Sequence, residues 1–158
     1  MHSEALHWIK ELKLEAHPEG GFFHEVYRSK ERVSTDQGER NLSTSIYFLL
    51  AGDQKSHFHQ LESDELWYFH AGTPVKVHLF EGKSYRQELL GLGEGLPQLL
   101  LPARSVFAAE VVDKTGFCLM GCMVNPGFDF KDFRMVGAEE LKKEYPEHTG
   151  LIEEFTLE

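Results

Sequence analysis

Short runs in which apolar and polar residues alternate recur along most of the chain, and turn residues separate them every 8–12 positions. Alternation with a period of two is typical of strands that bury one face, and many short strands with glycine or proline turns indicate a β-sandwich or barrel. The predicted strands are Phe22–Arg28, Ser43–Leu50, Ser56–Leu61, Glu65–Ala71, Val75–Glu81, Ser84–Leu90, Gln98–Leu101, Val106–Val112 and Phe117–Val124.

Helical periodicity is confined to the two ends of the chain. Near the start, Leu6, Ile9 and Leu12 recur on one helical face, Ser3 stands at the capping position, and Pro18 follows. A second short helix is predicted over Ala138–Tyr145, before an apolar tail at 151–158 that would pack on the barrel or on a partner subunit. The pattern therefore predicts an all-β fold with short terminal helices, in one domain spanning residues 1–158.

Charge and cysteine usage narrow the cellular setting. The 16 basic residues against 26 acidic ones give a net charge of −10, and Lys142-Lys143 is the only adjacent basic pair, which argues against nucleic acid or an anionic membrane as partner. The N-terminal segment has no apolar run of signal-peptide or membrane-span length. Cys118 and Cys122 lie about 13 Å apart on one face of a predicted strand, too far for a disulfide. Free buried thiols indicate a reducing, cytoplasmic location.

The candidate chemistry centres on His57, His59 and Glu65. Residues i and i+2 of a strand face the same side, so both imidazoles can converge on one point, and antiparallel pairing can bring Glu65 opposite them. Two histidines and one carboxylate are a common set for Fe(II) with open coordination positions. The alternatives are proton transfer by these residues, which suits a histidine, and histidines that are only hydrogen-bonded inside a barrel.

Aromatic and basic residues complete the predicted pocket. Strand parity places Trp67 and Phe69 on the face of Glu65, and Phe107 would add a third apolar wall. Arg28 and Arg104 are candidates for gripping a carboxylate or phosphate, with surface ion pairs as the alternative for each. Lys76 and His78 alternate with valine and leucine, which predicts that both lie on a solvent-exposed strand face.

These motifs resemble those of the cupins, which are double-stranded β-helix (jelly-roll) barrels. The first cupin motif is matched by Gly52, His57, His59, Glu65 and Gly72, with one residue more than usual before the glutamate. In the second motif Pro102 is kept, but Arg104 takes the glycine position and Phe107 the position of the third histidine. The resemblance implies a metal site of His57, His59 and Glu65 that lacks one ligand, because phenylalanine cannot bind a metal.

The overall pattern is similar to a group of small bacterial and yeast cupins with no assigned function. Shared segments include Pro18–Phe23, Tyr27–Ser29, Ser43–Leu50, Ser56–His59, Ser63–Trp67, Phe107–Glu110 and Pro126–Phe130. The resemblance implies a homodimer of jelly-roll barrels and leaves the reaction open.

A weaker similarity links the segment Gly21–Glu25, with Phe23 and Glu25, to the deoxythymidine-diphosphate-sugar epimerases, in which this segment contacts the nucleotide-sugar. His57 would then be in the position of the catalytic base. Two features depart from that family: Gly20 replaces its arginine, and the predicted strand Phe117–Val124 lacks its proton-donating tyrosine.

Three functional hypotheses follow, and they leave open whether the protein is an enzyme. The first is an isomerase-like or epimerase-like protein acting on a sugar-like or carbonyl compound, with His57 or His59 as base and Glu65 as its partner. The second is a metal-dependent dioxygenase or isomerase that holds one divalent ion, iron, manganese or zinc, at His57, His59 and Glu65. The third is a non-catalytic module that binds a small-molecule ligand.

Overall fold

The structure is a computed structural model in which residues 1–157 are described. Within these residues there are thirteen strands: β1 (Glu15–Ala16), β2 (Phe22–Arg28), β3 (Arg32–Thr35), β4 (Gly38–Asn41), β5 (Thr44–Ala51), β6 (Lys55–Gln60), β7 (Asp64–Gly72), β8 (Val75–Glu81), β9 (Ser84–Leu90), β10 (Gln98–Leu101), β11 (Val106–Val111), β12 (Phe117–Asn125) and β13 (Arg134–Met135). Helices α1 (Ser3–Glu11), α2 (Ala138–Glu144) and α3 (Thr149–Glu154) lie at the ends, with short 3-10 turns at Phe130–Asp132 and Pro146–His148.

The strands form two antiparallel sheets that face each other. One has the order β1-β2-β5-β12-β7-β10 and the other β13-β6-β11-β8-β9, while β3 and β4 form a separate hairpin. Alternate residues of each strand point inward, and the two inner faces meet in an apolar core that includes Phe48, Trp67, Val77, Phe107 and Met120. The predicted all-β jelly-roll architecture with short terminal helices is confirmed.

The outer face of each sheet is covered in part by a terminal segment. Helix α1 lies over β5 and β12, where Ala5 packs with Leu49 and Leu119. Helices α2 and α3 lie over the second sheet and bury Phe58 and Phe80. The C-terminal tail therefore packs on the barrel; Glu158 lies outside the described residues.

His78 corrects one prediction from strand parity. The residue does point away from the core, as the alternation requires, but it is only 3% exposed because the C-terminal segment covers that face. Its ring lies 4.8 Å from that of Phe155. Alternation identifies the outer face of a sheet but not whether another part of the chain covers it.

The nine predicted strands are all present, four of them with the predicted bounds. The predictions missed β1, β3, β4 and β13, which are two to four residues long, too short for a periodic pattern. Cys118 and Cys122 are free, buried and on the inner face of β12, as predicted. Among the described residues, no helix is long and apolar enough to cross a membrane.

Three β-bulges interrupt the pairing register, and each of them affects which side chains face inward. They fall between Glu25 and Tyr27 on β2, between Ser56 and His59 on β6, and between Phe69 and Ala71 on β7. An extra residue in one strand reverses the facing of every residue beyond it relative to a regular strand. The side chains in the barrel therefore depart from simple parity at these positions.

Candidate functional site

A cavity of about 430 Å³ opens at one end of the barrel. Its walls come from the segment before β2, from β2, β5, β6, β7 and β12, and from residues 128–133. The lining combines aromatic and aliphatic walls with a few polar side chains, the usual composition of a small-molecule site. The lining residues are His17, Glu19, Phe23, Glu25, Arg28, Thr44, Ile46, Phe48, His59, Leu61, Glu65, Trp67, Cys122, Val124, Phe128, Asp129, Phe130 and Phe133.

Glu19 is a buried carboxyl group in the turn between β1 and β2. Its Oε1 accepts a hydrogen bond from Ser56 Oγ at 2.8 Å, and its Oε2 lies 3.1 Å from His59 Nε2. Gly20 follows with φ +109°, and a Cβ at that position would overlap the carbonyl oxygen of Lys55. The chain thus requires glycine next to Glu19, and the arginine of the sugar epimerases has no room there.

His59 and Glu19 share a proton. His59 Nδ1 lies 2.7 Å from the carbonyl oxygen of His57, which can only accept, so Nδ1 carries a hydrogen and donates it. In the neutral ring Nε2 is then an acceptor, and Glu19 Oε2 must be the donor. Burial raises the pKa of Glu19 to about 8, although the hydrogen bond from Ser56 acts to lower it. Burial also lowers the pKa of His59. The neutral form of the pair is therefore favoured near pH 7.

Glu65 has one satisfied oxygen and one without a partner. Oε1 accepts a hydrogen bond from Trp67 Nε1 at 2.8 Å. The Cys122 thiol lies beside the carboxyl group, but Oε2 is buried and has no partner at hydrogen-bond distance and angle within residues 1–157. Burial raises the pKa of Glu65 to about 7, with a smaller contribution from Glu19; His59, Trp67 and Cys122 act in the opposite direction. A carboxyl group with a pKa near 7 in an apolar cavity is suited to accept or donate a proton.

His17 adds a second imidazole to the wall. Its Nδ1 accepts a hydrogen bond from the backbone N–H of Glu19 at 3.2 Å, and its ring lies 4.6 Å from that of Phe23 and 5.8 Å from that of Phe133. Burial, and to a smaller extent His59, lowers the pKa of His17 to about 3, so this ring is neutral.

The structure does not bring His57 into the cavity. The bulge on β6 pairs Phe107 with His59 but Ala109 with Ser56, so Ser56 takes the inward place that regular parity would give to His57. His57 Nδ1 instead lies 2.8 Å from the carbonyl oxygen of Glu19. The predicted grouping of His57 with His59 and Glu65 at one point is therefore wrong, because the parity argument assumed a regular strand.

The residues present do not fit the metal centre that the cupin resemblance implies. His57 is turned away and Phe107 occupies the place of the third histidine. Both ring nitrogens of His59 already face other groups, the His57 carbonyl and Glu19. Within residues 1–157, no three His, Cys, Asp or Glu side chains are grouped so as to hold a metal ion.

The other predicted ligand-binding residues divide into two sets. Phe23, Glu25, Arg28 and Trp67 line the cavity, whereas Phe107 lies in the core and the partly buried Phe69 packs against that core. The Phe107 ring lies 4.3 Å from that of His59 and supports it.

Arg104 is not part of the cavity. Its side chain is exposed and pairs with Glu62 at 3.1 Å, the alternative that the sequence had left open. Its φ of +66° shows why cupins carry glycine at this position.

Sequence reasoning missed His17 and Glu19, which lie in an irregular segment without periodicity. The sequence signal that could have found them is the run His17-Pro18-Glu19-Gly20-Gly21, in which adjacent glycines follow a charged residue. The aromatic segment 128–133 was also missed as a cavity wall, because it folds over the barrel from outside any predicted strand.

Solved structures of low identity share this barrel. Oxalate decarboxylase from Bacillus subtilis aligns with a TM-score of 0.57 and 12% identity, over 89% of this chain and 36% of that one. A crystal structure of CapF with the inhibitor 3-isopropenyl-tropolone aligns with a TM-score of 0.57 and 14% identity, over 77% and 32% of the two chains. At these identities the likeness shows the fold alone, which is that of a cupin.

The chain belongs to the cupin superfamily, in the family described as DUF985, whose model matches residues 6–136. A hypothetical protein from Leishmania major is 34% identical over 100% of both chains, with a TM-score of 0.89. A protein from Shewanella oneidensis is 38% identical over 99% of this chain and 98% of its own, with a TM-score of 0.88. No curated protein matches the chain.

Proposed function

We propose that this cupin is a metal-independent enzyme that moves a proton in a small carbonyl compound, as an isomerase or epimerase does. The observation that carries the proposal is Glu65, whose side chain lines the cavity and whose buried Oε2 has no hydrogen-bond partner within residues 1–157. A buried carboxyl oxygen without a partner is costly, and a site retains such a group where a ligand completes it.

Glu65 is the base and the Glu19–His59 pair is the acid in this proposal. The proton beside the carbonyl passes to Glu65 Oε2, and the electron pair of the broken C–H bond moves into the carbonyl group. The proton shared by Glu19 and His59 passes to the carbonyl oxygen, which gives a neutral enol. Return of a proton to the same carbon in the opposite configuration is epimerisation. When that carbon bears a hydroxyl group, the proton can instead return to the former carbonyl carbon while the hydroxyl loses its proton and becomes the new carbonyl, which is isomerisation.

The environment of the two carboxyl groups supports these roles. The pKa of Glu65 is raised to about 7 and that of Glu19 to about 8, chiefly by burial. At neutral pH one group is partly ionised while the other is mostly protonated. Two titratable groups with different pKa values in one site are the usual arrangement for paired acid–base chemistry.

The aromatic walls of the cavity provide the low-polarity surroundings that such chemistry needs. Phe23, Phe48, Trp67 and Phe133 surround the polar groups, and the cavity ends in the barrel core. Low polarity strengthens electrostatic interactions and protects an enol from water.

The test is deuterium exchange at the carbon beside the carbonyl, followed by NMR in D₂O. The probes are dihydroxyacetone, hydroxyacetone and 4-methylcyclohexanone, each incubated with the protein and with EDTA. We expect protein-dependent exchange that EDTA does not affect and that Glu65→Gln abolishes.

Each other outcome contradicts the proposal in a distinct way. Exchange that EDTA removes would indicate metal-dependent chemistry. A probe that raises the melting temperature of the protein and shows no exchange would indicate a binding module. Exchange that persists undiminished in Glu65→Gln would show that Glu65 is not the base.

A further inference from the structure

We propose that the cavity takes a substrate without an anionic group, and that Glu25 determines this preference by occupying the guanidinium group of Arg28. The inference rests on the proposed function, since it names the substrate class of the same site. It excludes phosphorylated, nucleotide-linked and carboxylate substrates, although Arg28 lines the cavity.

The argument begins with the donors of Arg28, the only Lys or Arg among the described lining residues. Its Nε and Nη2 donate to the two oxygens of Glu25, at 3.1 and 2.6 Å. Its Nη1 donates to Asn41 Oδ1 at 3.1 Å and to the carbonyl oxygen of Phe128 at 3.0 Å. The planar fork that would grip a carboxylate or phosphate is thus already filled by a carboxylate of the chain itself.

The bulge on β2 builds this arrangement. Residues 25 and 28 of a regular strand would face opposite sides, since their separation is odd. With the extra residue at Val26, Glu25 is opposite Ile46 and Arg28 is opposite Thr44. Ile46 and Thr44 both line the cavity, so Glu25 and Arg28 face it together. The ion pair is therefore a feature of the strand geometry, and the backbone fixes both partners.

The other basic groups near the cavity are also paired or neutral. Arg40 lies behind the mouth and binds Asp132 through two hydrogen bonds of 2.7 and 2.8 Å, with Asp129 at 4.0 Å. His17 is neutral, and Glu19 shares its proton with His59. An anion entering the cavity would find no free cation and would have to approach Glu65 and Asp129.

A matched set of ketones tests the inference. The probes are 4-methylcyclohexanone, 4-oxocyclohexanecarboxylate and 4-(aminomethyl)cyclohexanone, which share one ring and are neutral, anionic and cationic. Binding is measured by calorimetry and by the fluorescence of Trp67 in a Trp8→Phe background, since these are the only two tryptophans. We expect the neutral ketone to bind at least about tenfold more tightly than the carboxylate. The cationic ketone is the control for charge as such and should not be rejected in this way.

Glu25→Ala frees Nε and Nη2 of Arg28 while Asn41 and Phe128 still hold Nη1 in place. We expect this variant to bind the carboxylate probe at least about tenfold more tightly than the wild type, since a charge-assisted bidentate contact becomes available. Glu25→Ala/Arg28→Met should lose that gain. Glu39→Ala is the matched control, because it removes a carboxylate from another exposed arginine pair, Arg32–Glu39, outside the cavity.

The inference is overturned if the wild type binds the carboxylate probe as tightly as the neutral one. It is also overturned if Glu25→Ala gains no affinity for the carboxylate, or if Glu39→Ala gains as much. These measurements need no turnover. Absence of deuterium exchange with intact charge selectivity would refute the proposed reaction alone, and exchange without selectivity would refute this inference alone.

Discussion

The barrel contains two buried clusters of histidine with glutamate, and they differ in whether their polar groups are satisfied. In the cavity, His59 faces Glu19 and lies near Glu65, whose Oε2 lacks a partner within residues 1–157. On the outer face of the second sheet, His78 Nδ1 lies 2.8 Å from the Tyr85 hydroxyl and Nε2 lies 3.4 Å from Glu110.

In the outer cluster the side-chain polar atoms of His78, Tyr85 and Glu110 all have protein partners, and none of these residues lines the cavity that holds Glu65. Lys114 donates to the second oxygen of Glu110 at 2.7 Å, and Phe155 covers the His78 ring. Burial opposes ionisation of Glu110, but the hydrogen bond and charge of Lys114, with those of His78, lower its pKa. The comparison teaches that a buried His–Glu contact by itself is consistent with packing, whereas an unpartnered oxygen on a cavity-lining residue is the feature on which the proposed function rests.

The largest expected difference between the two clusters comes from replacing the proposed base, Glu65, in one and the corresponding carboxylate, Glu110, in the other. Glu65→Gln keeps the shape and can still accept from Trp67, but it cannot take a proton. We expect deuterium exchange to fall by about 10²- to 10⁴-fold, the usual contribution of a general base. Glu110→Gln, the same change in the outer cluster, should leave the rate within about twofold.

Glu19→Gln tests the acid of the pair. The amide can still accept from Ser56, but the shared proton is lost, and we expect exchange to fall by about 10- to 100-fold. Because the proposed reaction needs Glu19 protonated, the wild-type rate should fall as pH rises through about 8, and this fall should be absent in Glu19→Gln. A variant whose rate still falls near pH 8 would contradict the role of Glu19 as the acid.

The pH dependence of stability should separate the two clusters as well. Glu19 and Glu65 have folded-state pKa values raised to about 8 and about 7, so the folded state binds more protons than the unfolded one above pH 4.5. Stability therefore falls as pH rises, by about 2 kcal/mol between pH 6.5 and 8. Below pH 6.5 the lowered pKa values of His17 and His59 act in the opposite direction.

Urea unfolding of the wild type and two variants at pH 6.5 and 8 measures this effect. Glu19→Gln should remove much of the slope. Glu110→Gln should keep it, since the pKa of Glu110 is lowered and its contribution is lost only as pH falls into the acid range. A wild type whose stability is flat or rises over this interval would contradict the protonated state of the cavity.

The smallest expected effect is in the outer cluster itself. His78→Phe removes one partner of Tyr85 and of Glu110, but Gln87 still donates to the tyrosine hydroxyl and Lys114 to the glutamate. We expect a loss of about 1 kcal/mol in the free energy of unfolding and no change in exchange rate. A large loss of exchange would mean that this cluster takes part in function.

The regular parts of the barrel were predictable, and the departures from regularity were not. Alternation located the nine longer strands and placed Glu65 and Trp67 on the inner face, because parity holds within an unbroken strand. The prediction for His57 was wrong because the bulge on β6 depends on pairing with β11, which lies 46 or more residues further along the chain.

Other features depend on contacts that local sequence does not encode. Glu19 enters the site through a turn fixed by the glycine beside it, and the burial of His78 depends on the C-terminal segment folding back. The homodimer and the cytoplasmic location stay predictions.

The most direct test of the central claim is a carboxyl ¹³C NMR titration of the wild-type protein, with Glu19→Gln and Glu65→Gln for assignment. The account predicts two glutamate carboxyl carbons that titrate near pH 8 and pH 7, the first lost in Glu19→Gln and the second in Glu65→Gln. If both carbons titrate near the ordinary glutamate pKa of about 4.3, the cavity holds two plain carboxylates and the acid–base account is wrong.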